Sequence, residues 1–154
     1  MTLSKQRKIS KLICMKVTLK RIDENFNFEA TGQSPQKNYL DAGESIGGQN
    51  KGSRPMEMLL MGLGGCSAID VILILKKQKQ HIDDLEIEVS GERQELEGTK
   101  MSPFKTMHIH FKFQGKIDAN KIERAINLSM EKYCSATAQF QSSAVITHSY
   151  QLNS

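Results

Sequence analysis

The chain has 154 residues, of which 38% are hydrophobic and 25% charged, and this composition predicts one soluble globular domain that buries its own core. The formal net charge is +4, and residues 1–16 carry five basic side chains and no acidic one, so a basic surface for nucleic acid is not expected on the rest of the chain. Three cysteines without paired spacing argue against a secreted disulfide framework and favour a reducing cytoplasm.

The first third of the chain is expected to hold a tail, a small sheet and a loop. Residues 1–14 are expected to form a loose N-terminal tail, followed by a single domain at 15–154. Short extended runs over 17–40, broken by polar and glycine-containing segments, predict an antiparallel meander. Glycine, asparagine and serine are frequent in 41–53, which indicates a flexible loop that leads into the active region.

A long apolar helix is predicted to begin at Pro55, which suits a first helical turn, and to end near Gln80. Its hydrophobicity raises a transmembrane interpretation, but Glu57 and Asp70 interrupt the apolar run, which favours a core helix and no membrane partner. Apolar side chains lie around most of the helix, more than one small sheet can cover. We therefore expect a second copy of the chain to cover the rest.

The second half of the chain is predicted to run strand, strand, helix, strand. Apolar and polar residues alternate over 85–90 and 107–113, as in strands with one buried face. Asp118 is expected to cap a second helix that reaches Tyr133, and 145–152 is expected to be the last strand. This order favours an α+β fold over alternating βαβ units.

Two cysteines carry the functional hypothesis. Cys66 follows two glycines in the long helix, and Cys134 lies at the end of the second helical pattern. Small neighbours and free helix N–H groups predict a reactive Cys66 with a depressed pKa. We expect Cys66 to attack a peroxide and Cys134 to resolve the resulting sulfenic acid as a disulfide. The alternative for each is a small buried side chain with no chemical role.

Other polar residues are weaker candidates. Arg54, beside the loop, is placed to stabilise a thiolate, although a solvated surface charge explains it equally well. Asp70 lies one helical turn after Cys66 and, if ionised, would raise the pKa of the thiol, so a structural role is expected for it. His108 and His110 alternate along a strand but lack a third ligand with suitable spacing. No metal and no organic cofactor are expected.

The segments 55–71 and 131–135, together with 146–150, resemble the two cysteine motifs and the last strand of the OsmC/Ohr family, and within it the OsmC-like branch. The resemblance implies an intertwined homodimer, in which antiparallel sheets wrap two long central helices and the active sites lie at the subunit interface. It also implies a thiol-dependent peroxidase of the oxidative stress response, which acts on organic hydroperoxides or hydrogen peroxide and is regenerated by a dithiol reductant.

One departure from the family pattern keeps a second hypothesis open. In the hydroperoxide-resistance members a glutamate directly follows the motif proline and pairs with an N-terminal arginine. Here Met56 follows the proline and the acid is Glu57, about half a turn out of phase with Cys66 on a straight helix; Arg21 is a weak match for the arginine. Glu57 remains a candidate to hold a cation in the active region. The second hypothesis is a small-molecule or lipid-binding protein of the same fold, whose cysteines are structural or redox-sensing.

Overall fold

The computed structural model of this chain describes residues 12–153, which form two compact units that divide between Pro55 and Met56. Most of the tail expected at 1–14 lies outside the described residues, and residues 12–14 have no regular secondary structure. The expectation of a single domain at 15–154 stays a prediction.

The first unit contains a three-stranded sheet. Its strands are β1 (Thr18–Arg21), β2 (Phe28–Thr31) and β3 (Asn38–Leu40), in that spatial order. Both neighbouring pairs are antiparallel, so the predicted meander is confirmed.

The glycine-rich loop after β3 is organised around Asp41, which is buried. One of its carboxylate oxygens accepts the backbone N–H groups of Gln49 and Lys51 at 2.9 and 3.0 Å, and the other accepts that of Ala42 at 2.8 Å. Hydrogen bonds from Lys51 and Gln49 lower the pKa of Asp41 because they stabilise its charged form. A short 3-10 helix, Glu44–Ile46, lies within this loop. The composition indicated the loop but not its buried anchor.

Helix α1 spans Pro55–Lys77, which confirms the predicted start and ends it three residues before the predicted Gln80. Its buried stripe recurs every four residues, as expected for one helix face, and packs into the core of the second unit. The buried residues of this stripe are Leu63, Ser67, Val71 and Leu75.

Outside this stripe, α1 carries several large apolar side chains that stay exposed on the described chain. Its length and composition would suffice to cross a membrane, yet only 28% of its most apolar window is buried within the chain. Leu59, Met61, Ile69 and Leu73 are all large exposed hydrophobic side chains. We expected that one small sheet would not cover all apolar side chains of this helix. Their exposure agrees with that expectation.

The second sheet consists of β4 (Asp84–Arg93), β5 (Phe104–Gln114) and β6 (Val145–Asn153), in that order. β4 and β5 are antiparallel, but β5 and β6 are parallel. The expectation of antiparallel sheets is therefore confirmed for β4 and β5 but wrong for β5 and β6. Parallel neighbours need a crossover connection of a dozen or more residues. The long helical connection between β5 and β6 is such a crossover. This segment therefore has the βαβ form that the predicted order of elements did not favour.

The crossover contains three helical pieces. Helix α2 (Ala119–Leu128) is followed by a π-helical turn (Ser129–Tyr133) and by helix α3 (Ser135–Phe140). The Asp118 cap is confirmed, because its carboxylate accepts the N–H of Asn120 at 2.8 Å. The second helix does reach Tyr133, but its last turn is π-helical. This change of helical type directly precedes Cys134.

Candidate active site

The structure brings Cys66 and Cys134 together from positions 68 residues apart (134 − 66) in the sequence. Their Sγ atoms and a carboxylate oxygen of Asp70 all lie within 4.8 Å of one another. Both thiols are free. Cys66 lies within α1 and is partly exposed, whereas Cys134 precedes α3 and is only 4% exposed. A reactant from solvent therefore meets Cys66 first.

Cys134 is held from several directions. Its sulfur accepts the backbone N–H of Thr137 at 3.3 Å and lies 3.3 Å from the Ser67 hydroxyl. Its own N–H donates to the carbonyl of Ser129 at 2.8 Å, and its carbonyl accepts from the N–H of Ala138 at 3.1 Å. The π-helical turn and α3 thus fix the position of this thiol relative to α1.

The two thiols differ in the direction of their pKa shifts. Burial alone would raise the pKa of Cys134, but hydrogen bonds from Ser67, Thr137 and Cys66 outweigh it and lower that pKa. Burial raises the pKa of Cys66, a backbone hydrogen bond from Ala136 opposes the rise, and the neighbouring Cys134 adds to it. Cys134 therefore loses its proton more readily than Cys66 does.

The prediction of a depressed pKa for Cys66 is thus wrong. Cys66 lies eleven residues (66 − 55) after the first residue of α1, where backbone N–H groups are already engaged within the helix, and only the first turn offers free donors. The predicted effect of Asp70 is confirmed, since its charge contributes to the raised pKa of Cys66. Asp70 Oδ2 also accepts a hydrogen bond from the Ser129 hydroxyl at 3.4 Å.

Sequence reasoning missed the polar and sulfur-containing residues around the pair. Ser67 and Thr137 are buried, and their hydroxyl groups also approach the sulfur of Met130, at 3.9 and 3.8 Å. Ser67 was detectable in principle, because it falls on the buried stripe of α1 where a serine needs a partner. The contribution of Thr137 depends on the bend after the π-helical turn and has no local signal.

The two supporting candidates, Arg54 and Glu57, have other neighbours. Arg54, in the first unit, donates to the carbonyl of Gly52 at 3.3 Å and to the side chain of Asn50. Glu57 lines an open cavity of about 680 Å³ together with residues of α1 and β4. Cys66 is not among the residues that line this cavity, which agrees with the expected phase difference between Glu57 and Cys66. A role of either residue at the thiol stays a prediction.

A second open cavity, of about 660 Å³, lies on the Asp70 side of the site. Leu73 and Ile74 contribute apolar surface to it, and its charged side chains besides Asp70 are the cations Lys77, Lys121 and Arg124 and the carboxylate of Asp118. The carboxylate of Asp70 is thus placed between the thiol pair and a groove with a positive charge.

The ring nitrogens of the two histidines on β5 lie within hydrogen-bond distance of hydroxyl groups on β6. The two ring nitrogens of His108 lie 2.7 Å from the hydroxyl of Thr147 and 2.8 Å from that of Ser149. His110 lies 2.7 Å from the same Ser149 hydroxyl. These contacts across the parallel β5–β6 pair place both histidines on a polar face of the second sheet.

The profile of the family described as "OsmC-like protein" matches residues 48–149, about two thirds of the chain. The chain therefore belongs to the OsmC-like family, which is a family of soluble proteins. It is also 41% identical over 104 residues to Protein YhfA of Escherichia coli K12, an alignment that covers 67% of this chain and 75% of YhfA. The resemblance inferred from the two cysteine motifs is confirmed.

Solved structures show the same fold. A hypothetical protein from Aquifex aeolicus is 29% identical, with a TM-score of 0.75 over 93% of this chain and 100% of that protein. The organic hydroperoxide resistance protein OhrB of Bacillus subtilis is 16% identical, with a TM-score of 0.66 over 92% of this chain and all of that one. At this identity the second likeness concerns the fold alone. The mixed helix and sheet architecture is that of OsmC-like proteins.

Proposed function

We propose that this protein is a thiol-dependent peroxidase that reduces organic hydroperoxides or hydrogen peroxide. The observation that carries the proposal is the approach of two free thiols within 4.8 Å in an OsmC-like fold, with the outer thiol partly exposed and the inner one buried. The name of the Bacillus subtilis relative, an organic hydroperoxide resistance protein, supports the same substrate class.

The first step uses the unequal sharing of charge between the thiols. Cys66 donates a hydrogen bond to the Cys134 thiolate, whose pKa this bond lowers. When a peroxide reaches the exposed side of Cys66, the proton moves to Cys134 and the Cys66 thiolate attacks one peroxide oxygen. The O–O bond breaks, Cys66 becomes a sulfenic acid, and the alkoxide (or hydroxide) takes the proton back from Cys134 to leave as an alcohol (or water).

The second step joins the two sulfurs. The Cys134 thiolate attacks the sulfenic sulfur, the S–O bond breaks, and the expelled hydroxide takes a proton from solvent to become water. The sulfurs must approach from at most 4.8 Å to about 2.05 Å, the length of a disulfide bond. Two electrons have then passed from the thiols to the peroxide. A dithiol reductant returns them by thiol–disulfide exchange, and neither a metal nor an organic cofactor takes part.

We further propose that the active form is a cytoplasmic, intertwined homodimer, in which the α1 helices of the two copies form the two long central helices and the sites lie at the interface. The exposed apolar side chains of α1 support this arrangement. Gly62 and Gly65 support it as well, because a Cβ at either position would meet no atom of residues 12–153 within 4 Å, apart from its sequence neighbours and the adjacent backbone of α1 itself. A second backbone has room to approach there.

The competing proposal is a small-molecule or lipid-binding protein whose thiols are structural or redox-sensing. The raised pKa of Cys66 and the apolar lining of the cavity beside Glu57, which includes Leu60 and Leu85, favour it. It predicts binding without consumption of peroxide.

Peroxide consumption in the presence of a dithiol distinguishes the two proposals. Reduced protein is mixed with cumene hydroperoxide or hydrogen peroxide, and both the loss of peroxide and the free thiols per chain are measured. A peroxidase consumes many equivalents, and without reductant it loses Cys66 and Cys134 together as an internal disulfide. Thiols that survive an excess of both peroxides would reject the peroxidase proposal. Cys14→Ser is the matched control, since Cys14 is exposed and lies outside the pair.

A further inference from the structure

The peroxidase proposal gives no role to the carboxylate beside the two thiols. Asp70 lies four residues after Cys66 on α1, and one of its oxygens is within 4.8 Å of both sulfurs. Its side chain is only partly buried, and the four-residue spacing places it on the same helix face as Cys66. Three groups that can each donate one atom to a metal ion therefore converge at this point of the second unit.

We propose that Cys66, Asp70 and Cys134 form a binding site for a thiophilic divalent cation of the Zn²⁺ type, independently of any peroxidase activity. Zinc bonds of about 2.0 to 2.3 Å in a tetrahedron place the ligand atoms about 3.3 to 3.8 Å apart. The three donor atoms are at most 4.8 Å apart. Small side-chain rotations, of about 1 Å or less at the donor atoms, therefore complete three corners of such a tetrahedron.

The chemistry of the donors selects the class of metal. Two sulfurs and one carboxylate oxygen suit zinc and other borderline or soft cations, whereas magnesium and calcium prefer oxygen ligands alone. Three protein ligands leave the fourth corner to water. Cys66 and Asp70 are both only partly buried, so water can reach that corner from their side.

Neighbouring groups already orient the donors. The Ser129 hydroxyl donates to Oδ2 of Asp70 at 3.4 Å, and the Thr137 N–H donates to the Cys134 sulfur at 3.3 Å. Such outer hydrogen bonds fix ligands in metal sites and strengthen them. Cys66 and Asp70 are in addition held in register by one turn of the same helix.

The charges around the site also fit. Two thiolates and a carboxylate carry three negative charges, so a divalent ion leaves one in excess. Asp70 borders the groove that contains Lys77, Lys121 and Arg124. Asp118 also lines this groove, but the cations outnumber the carboxylates there and so offset the excess. A bound ion would engage both thiols at once, and it would therefore block peroxide attack and disulfide formation while present.

Zinc binding to the reduced full-length chain tests the proposal. The chain is titrated with Zn²⁺ in the absence of oxygen, in competition with a chromophoric chelator, and one ion per chain is expected. Asp70→Asn, Cys66→Ser and Cys134→Ser should each weaken binding by more than about tenfold. Cys14→Ser and Asp84→Asn, which change exposed residues outside the cluster, should bind as the original chain does. Co²⁺ should show a thiolate-to-metal charge-transfer band that both cysteine variants lose or weaken.

Wild-type affinity in any one of the three ligand variants would overturn this ligand set, provided that far-UV circular dichroism shows a folded chain. Zinc binding by the disulfide form at the affinity of the reduced form would overturn it as well. The assay contains no peroxide, so a chain without peroxidase activity can still pass it, and an active peroxidase can still fail it.

Discussion

Cys66 and Cys134 lie within a few ångströms of each other, yet their surroundings give the two thiols different exposure and opposite pKa shifts. Cys66 lies in the middle of a continuous helix, next to the open Gly65, and its sulfur is partly exposed. Cys134 lies between two short helical pieces, where a backbone N–H and the Ser67 hydroxyl approach its buried sulfur. The exposed thiol therefore has the raised pKa and the buried thiol the lowered one. Solvent therefore reaches Cys66 more easily, whereas Cys134 loses its proton more easily.

The largest expected effect comes from removing each thiol in turn. Cys66→Ser should reduce turnover of organic hydroperoxide with a dithiol donor to the uncatalysed background, because the buried Cys134 is not accessible to the substrate. Cys134→Ser should allow one oxidation per chain and then stop at sulfenic or sulfinic acid, visible by mass spectrometry. Equal residual turnover in both variants would contradict a division of roles.

Titration of the thiols tests the division of charge. The alkylation rate of Cys66 should rise with pH through a midpoint above the free-cysteine value of about 8.5, because burial and Cys134 raise its pKa. Peroxide reduction should accelerate with pH over the same range. In Cys134→Ser the midpoint should move down, since the neighbouring charge is gone. A midpoint that stays in place would show that the two sulfurs are not coupled.

A paired glycine experiment tests whether a second copy covers the exposed side of α1. Gly64→Ala should cost about 1 to 3 kcal/mol, because a new Cβ would lie 2.7 Å from Val89 Cγ2. The new Cβ of Gly65→Ala would meet no atom of the described residues outside the adjacent turns of α1. Without a partner chain, this variant should therefore stabilise the helix by about 0.5 to 1 kcal/mol. A loss of stability in Gly65→Ala, read from chemical unfolding, would place another chain there.

The same interface makes stability depend on concentration. In an obligate dimer the melting temperature should rise with protein concentration, because folding and association are then linked. Sedimentation at low micromolar concentration should show two copies. A monomer whose melting temperature is independent of dilution would refute the dimer and an active site at its interface.

The smallest expected effect concerns the support of Cys134. Ser67→Ala removes a buried hydroxyl and should cost about 1 kcal/mol of unfolding free energy. Since that hydroxyl helps to lower the pKa of Cys134, the pKa should rise in the variant. Absorbance of the thiolate, recorded against pH in the Cys66→Ser background, measures this change. An unchanged titration would assign the lowered pKa to the remaining groups.

The sequence predicted those features whose signals are local. The start of α1 at Pro55 and the cap at Asp118 depend on residues within one turn, and both are confirmed. The direction of β6 could not be predicted, because it depends on where a crossover of about thirty residues returns to the sheet. The sequence motifs pointed to both cysteines, and the fold brings their sulfurs together. The sequence could not rank their pKa values, which depend on burial and on partners distant in sequence.

The π-helical turn at Ser129–Tyr133 makes the spacing of the chain, and not only its side chains, part of the site. Such a turn holds one residue more than the α-helical turn it replaces. Loss of a single residue from it would restore α-helical phase and rotate everything that follows by about 100° around the axis. Cys134 would then leave its partner while every side chain of the cluster was still encoded. The number of residues in this turn therefore determines the thiol pair as much as the cysteines themselves do.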